Sequence, residues 1–143
     1  MRAMLVIVVS LLLLSCTGSP SPFQPTTDQG LAIMKRVNFE SPPEDKLKTA
    51  QELLGHAEQY ERQINESSPI DTRSEAQRLR RGERATASIL MRDAASDYAK
   101  QQQVDKARDV YRSVLSTFTE EYEASFRESA EASLKRLGAS QAK

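Results

Sequence analysis

From Ser41 to Gly138 the apolar side chains recur with a helical period, and that periodicity restricts the chain to an all-α fold. Leu47, Ala50, Leu53, Leu54, Ala57, Tyr60 and Ile64 fall on one helical face, with Gln, Glu, Lys and Arg on the other, because residues three and four apart share a side of a helix. Ser41-Pro42-Pro43-Glu44 supplies an N-cap serine, a proline in the first turn and a glutamate placed to close a capping box. Asn65 to Pro69 ends this helix, since proline disfavours helix just before it and has no N–H to donate.

A second box, Thr72-Arg73-Ser74-Glu75, opens a segment reaching about Gln102, with Leu79, Ala87, Leu90, Met91, Ala94 and Tyr98 as its stripe and Gly82 as a soft point. The next helix starts near Val104 or Asp105 and carries Ala107, Val110, Tyr111, Val114, Leu115 and Phe118. No Gly or Pro breaks Gln101-Gln102-Gln103, so one very long helix remains open there. Thr117 to Glu120 offers a further capping box. The last helix begins with Glu120, Glu121 and Glu123 and ends with Lys135 and Arg136, an order that suits the helix dipole, and Gly138 is its expected stop. A sustained period-two alternation, the mark of strands, is missing from this stretch.

Charge and cysteine usage narrow the function classes. The chain has 20 Lys+Arg and 20 Asp+Glu, one His and one Cys. That balance argues against nucleic acid as a partner. A single cysteine precludes an internal disulfide, and one Cys with one His precludes a Cys/His zinc site.

The N-terminus reads as an address. Arg2 precedes an apolar run from Ala3 to Leu14, interrupted only by Ser10. The run is too short for a hydrocarbon core of about 30 Å, which takes about 20 helical residues, but has the length of a signal-peptide core. Leu13-Leu14-Ser15-Cys16 follows, and it resembles the bacterial lipobox. The resemblance implies cleavage of residues 1–15, a diacylglycerol on the Cys16 thiol and usually an acyl chain on its amine. Two or three acyl chains hold a protein on a bilayer far more firmly than one. Thr17, not Asp, follows the cysteine, which by the same resemblance favours an outer-membrane, periplasm-facing location, or the outer face of the cell membrane in a Gram-positive source.

Residues 16–40 are expected to form a tether. Thr17 to Thr27 reads TGSPSPFQPTT, with Phe23 its one sizeable apolar group, a composition that favours an extended, mobile spacer. A short helix at 28–38, capped by Asp28 and ended by Asn38, is possible because Leu31, Met34 and Val37 recur every three residues. Residues 41–138 form the helical domain, and 139–143 a disordered tail.

Residues 88–121 resemble one tetratricopeptide repeat, a unit of two antiparallel helices packed through small residues. Ala95 and Ala107 stand at the small positions, Tyr98 at the first helix's aromatic position, and Tyr111, Val114 and Leu115 at packing positions. The departures are Met91 where Trp is typical, Gln102 where a turn Gly is common, and Thr119 where Pro is expected. By this resemblance the fold is a set of antiparallel helical hairpins, and Met91, Arg92 and Tyr98 line a groove that binds a protein partner.

Catalytic chemistry is poorly supplied. His56 has Glu52 four residues before it, and two ligands make no metal centre, so an exposed or half-buried helix histidine is expected. No Gly-x-Ser-x-Gly elbow is present, and the adjacent Glu120 and Glu121 diverge around a helix. Arg73, Arg78, Arg80, Arg81, Arg84 and Arg92, set against Glu75, Glu83 and Asp93, read as a solvated face with local ion pairs rather than a headgroup-binding patch. The expectation is therefore a non-enzymatic, lipid-anchored interaction module without cofactor, metal or small-molecule substrate, an accessory subunit of an envelope assembly or secretion complex. The alternative is a structural lipoprotein that self-associates or contacts the cell wall.

Overall fold

The structure is a computed structural model that describes residues 21–139. Five helices follow one another: α1 (Gln24–Met34), α2 (Pro43–Arg62), α3 (Ile70–Lys100), α4 (Val104–Thr117) and α5 (Ala124–Ala139), the last entered through a 3₁₀ turn at Glu121–Glu123. Among the described residues no strand occurs, and the fold is all-α.

Named contacts fix how the helices run. Lys46, near the start of α2, meets Asp93 and Asp97 near the end of α3, whereas Tyr60 near the end of α2 meets Glu83. The two therefore run in opposite directions. Arg84 of α3 donates to the Thr117 carbonyl at the end of α4, and Lys106 at its start lies over Tyr98, so α4 reverses again. Arg84 reaches Glu123 and Arg92 reaches Ser129, which aligns α5 with α3.

The periodic faces form the core. Ala50, Leu53, Ala87, Met91, Ala95, Tyr98, Ala107, Val114, Phe118 and Ala130 belong to one buried cluster. Ala95 and Ala107 are both fully buried in it, and small side chains are what lets helix axes approach within about 8–10 Å. A second, smaller cluster joins Phe23, Tyr60 and Ala76.

That second cluster corrects the expectation of a mobile spacer for residues 21–27, while 17–20 lie outside the described residues. Phe23 is 1% exposed, with its ring edge-on to Tyr60 at a centroid distance of 5.9 Å. Burying one aromatic of this size contributes roughly 1.5–3 kcal/mol, enough to order the residues beside it. The helix anticipated at 28–38 accordingly begins at Gln24 and ends at Met34.

Helix starts also differ from the capping-box expectation. Pro42 is the N-cap of α2 and Pro69 that of α3, neither making a side-chain cap bond. The Ser41 hydroxyl instead accepts from the Asn38 N–H at 2.9 Å, while Asn38 Oδ1 accepts from the Glu40 N–H at 2.9 Å. The Ser68 hydroxyl and Asn65 Oδ1 repeat this with the N–H groups of Asn65 and Ser67, each at 3.0 Å. Both turns read Asn-x-x-Ser-Pro. The serines close the turn ahead of each helix, and proline then fixes the entry angle. A capping box does form at the last helix, but between Glu120 and Glu123.

The α3–α4 break is made by Gln102, the one non-glycine with positive φ, at 62°, among the described residues. The Gln103 N–H donates to the Tyr98 carbonyl at 2.8 Å and the Gln102 N–H to that of Ala99 at 3.0 Å. Together they form a Schellman closure with glutamine in the place glycine usually takes. At the other end of the fold, α5 continues through Gly138 instead of stopping there.

Candidate functional site

A shallow groove of about 240 Å³ lies between α2 and α4 above α3. Leu47, Leu54, Met91 and Val110 give it an apolar floor, and Gln51, Ser113 and Thr117 edge it with uncharged hydrogen-bonding groups. The alternation of α2, α3 and α4 makes the groove: α3 touches both neighbours, and its small and sulfur-bearing side chains leave space between them. A second hollow of about 260 Å³ beside α1 is lined by Arg36, Val37, Asp45, Lys48, Thr49 and Glu52.

Three buried polar centres tie the helices to one another. In the first, the Lys46 ammonium is 0% exposed and donates to Asp93 and Asp97, each at 2.6 Å, and to the Phe39 carbonyl at 2.8 Å. Its three donors are thereby satisfied. Burial pushes the ammonium down, the two carboxylates push it further up, and its net pKa is raised. The bond from Lys46, with help from Lys100, holds Asp97 below the usual carboxylate range.

The second centre is Glu83, 6% exposed. His56 Nδ1 lies 2.8 Å from one carboxyl oxygen, and the Tyr60 hydroxyl donates to the other at 2.9 Å. Burial pushes the Glu83 carboxyl up despite these bonds, and burial likewise raises Tyr60. Gly30 of α1 sits directly over the carboxyl: a Cβ there would stand 2.1 Å from Glu83 Oε1.

The third centre ties α3 to the entrance of α5. The Arg84 Nε donates to Glu123 Oε1 at 2.6 Å and a terminal nitrogen donates to Oε2 at 3.1 Å, the fork geometry of a strong charge-assisted pair. Glu123 is fully buried. Burial pushes its carboxyl up, but Arg84 and the Glu120 backbone outweigh burial and its pKa is lowered. Arg80 meets Glu58, Glu61 and Glu120 at 3.3, 3.2 and 2.6 Å.

The residues singled out in the sequence fall as follows. Cys16 and the lipobox-like Leu13-Leu14-Ser15 before it lie outside the described residues. Met91 is 6% exposed and forms part of the groove floor. Tyr98 is 4% exposed, packed in the core beneath Lys106, and is not an open wall for a partner. Arg92 is turned onto the Ser129 hydroxyl at 3.0 Å and the Phe126 ring at 5.8 Å. Of the three, only Met91 reaches the groove. The physical reason differs for the two: Arg92 is taken up by Ser129 and Phe126 of α5, whereas Tyr98 is enclosed by Lys106 of α4 and Glu44 of α2.

His56 is buried, not exposed or half-buried, at 5%. Its partner is Glu83 from the next helix rather than Glu52, which pairs with Arg36. Its Nε2 has no hydrogen-bond partner among the described residues. The arginine run splits: Arg73 and Arg78 are exposed, whereas Arg80 and Arg84 enter cross-helix pairs and Arg81 covers Tyr122 at 4.7 Å. Their alternation with Glu58 and Glu61 on α2, invisible to a scan of one helix at a time, was the available signal. Among the described residues no group of three metal-ligating side chains converges, and no helix is long and apolar enough to cross a membrane. No protein-family model, curated protein or solved structure matches the chain.

Proposed function

We propose that this chain is a lipid-anchored envelope protein, fixed to a bilayer through Cys16, whose TPR-like helical body acts as a protein-interaction module. The observation that carries the reading is the position of the one cysteine, directly behind a twelve-residue apolar run and in the sequence Leu13-Leu14-Ser15-Cys16. The helical layout supports it: successive helices reverse direction and pack in order, as units of a helical repeat do. The groove over Met91 is lined by neutral groups, suited to an uncharged, largely apolar protein segment. An accessory role in an envelope assembly or secretion complex, on the periplasmic side of the outer membrane, follows from anchor and module together. The body works by contact, without catalysis or cofactor.

The test is affinity capture from detergent-solubilised envelopes. Gln51 and Ser113 are exposed groove-edge residues, so Gln51→Arg and Ser113→Arg leave the core intact. A stoichiometric protein partner lost in both variants supports the reading. Recovery of self-complexes or wall fragments alone, unchanged by either variant, overturns it in favour of a structural lipoprotein.

A further inference from the structure

The lipid anchor and the docking of α1 together constrain which end of the body faces the membrane. The Ser21 hydroxyl donates to Glu75 Oε1 at 2.9 Å, and Phe23 is sealed against Tyr60 and Ala76. The chain is thus attached to the body from Ser21 onward. Five residue steps separate Ser21 from Cys16, and at about 3.3–3.6 Å per step they reach no further than about 18 Å.

Glu75 lies five residues beyond Ile70 in α3, so at 1.5 Å per residue the tip of α3 projects about 7.5 Å past the attachment point. The far end of α3, at Lys100 just before the turn at Gln102, stands about 38 Å away in the opposite direction. Phe39 lies at that far end, since its carbonyl holds Lys46 against Asp93 and Asp97.

The near tip has a distinct surface. Ile70 is 72% exposed, more than Phe39 at 63% or Ile89 at 48%, and Ser67, Ser68 and Pro69 before it are uncharged. The formal charges around it cancel: Arg62, Arg73 and Arg78 stand against Glu66, Asp71 and Glu75. Attraction to anionic headgroups is therefore not available to hold this end, but an exposed Ile beside a Pro suits the headgroup–acyl boundary. One such contact is weak in a free protein. It becomes sufficient when a short tether keeps the local concentration high.

We propose that the α2–α3 turn, with Ile70 at its tip, is seated on the bilayer to which Cys16 is attached, a contact that is apolar and indifferent to lipid charge. This rests on the lipid-anchor reading above. The opposite end, with the Gln101–Gln103 turn and Phe39, then points away from the membrane.

The test uses the mature acylated protein in vesicles of zwitterionic phospholipid, with or without added anionic phospholipid. An environment-sensitive fluorophore is placed at Ser67→Cys or at Gln102→Cys, and quenching by brominated lipid is read after flotation. The expected result is several-fold stronger quenching at the first position than at the second, equal in both vesicle types and lost when Ile70→Asp is added. Flotation with equal quenching at both positions overturns the orientation while the anchor stands. Quenching that requires anionic lipid overturns the apolar contact. Failure to float overturns the anchor, and this inference falls with it.

Discussion

Gly30 and Glu83 stand closer than any other residue type at position 30 would allow: a β-carbon there would sit 2.1 Å from the carboxyl oxygen and 3.3 Å from His56 Cε1. The carboxyl cannot swing aside freely, because His56 and Tyr60 hold both of its oxygens. The seat of α1 thus depends on a missing side chain. Gly30→Ala is expected to lift α1 at a cost of about 1–3 kcal/mol, the usual range for overpacking, read as a lower unfolding midpoint and faster amide exchange in Gln24–Met34. Gly55 and Gly82 have open space at the same test, so Gly55→Ala and Gly82→Ala are expected to stabilise by about 0.5–1 kcal/mol.

Lys46 is fully buried, with its two carboxylate partners partly solvated. Lys46→Ala removes the ammonium and leaves Asp93 and Asp97 facing one another. The expected loss is about 3 kcal/mol, near the lower end of the range for breaking a buried pair. Chemical denaturation is the measurement. Adding Asp93→Asn and Asp97→Asn should recover part of the loss, because the residual repulsion disappears.

The pH dependence follows from the lowered carboxylates. Asp97 is held down by bonds from Lys46 and Lys100; Glu123, which burial alone pushes up, is held down by Arg84 and the Glu120 backbone. A depressed carboxyl contributes stability above its unfolded pKa and loses it as pH falls through the folded value. Stability should therefore decline once pH drops below the ordinary carboxylate range, and Glu123→Gln should flatten that decline in urea titrations. Glu83 has the opposite sign: burial raises it, so its ionisation opposes folding as pH rises. Glu83→Gln is expected to steepen the net acid sensitivity.

Gln102 occupies left-handed backbone at φ 62°. That conformation costs a non-glycine residue about 1–2 kcal/mol, offset in part by the greater unfolded-state freedom of glycine. Gln102→Gly is expected to stabilise by up to about 1 kcal/mol, seen as a raised melting temperature with no change in the groove.

The helical faces were legible because periodicity is a local property: Leu53, Ala57, Met91, Val114 and their neighbours are buried where the spacing puts them. The chain breaks at Asn38 and at Asn65 to Pro69 were legible, but Ser41 was read as a helix cap when it closes the preceding turn, and the second box was placed at Thr72 when Ser68 closes the matching turn ahead of Pro69. The α3–α4 break falls where the helix start near Val104 and the turn position at Gln102 put it, and the left-handed backbone of Gln102 excludes the single long helix that three glutamines without Gly or Pro had left open. Phe23, His56 and Glu83 were illegible. Each acquires its role from a helix distant in sequence, with Tyr60, Glu83 and Gly30 as their respective partners. Tyr98 and Arg92 were placed on the correct helix, but what covers each was decided by helices distant in sequence, α5 for Arg92 and α2 with α4 for Tyr98.

The proposed location and role both depend on acylation of Cys16. Intact-mass and N-terminal fragment spectrometry of the protein isolated from its native envelope tests it directly. The expected result is a chain beginning at residue 16, with a diacylglycerol mass on Cys16 that is absent, together with membrane retention, from Cys16→Ala. An unmodified thiol at residue 16, or a chain still starting at Met1, contradicts it.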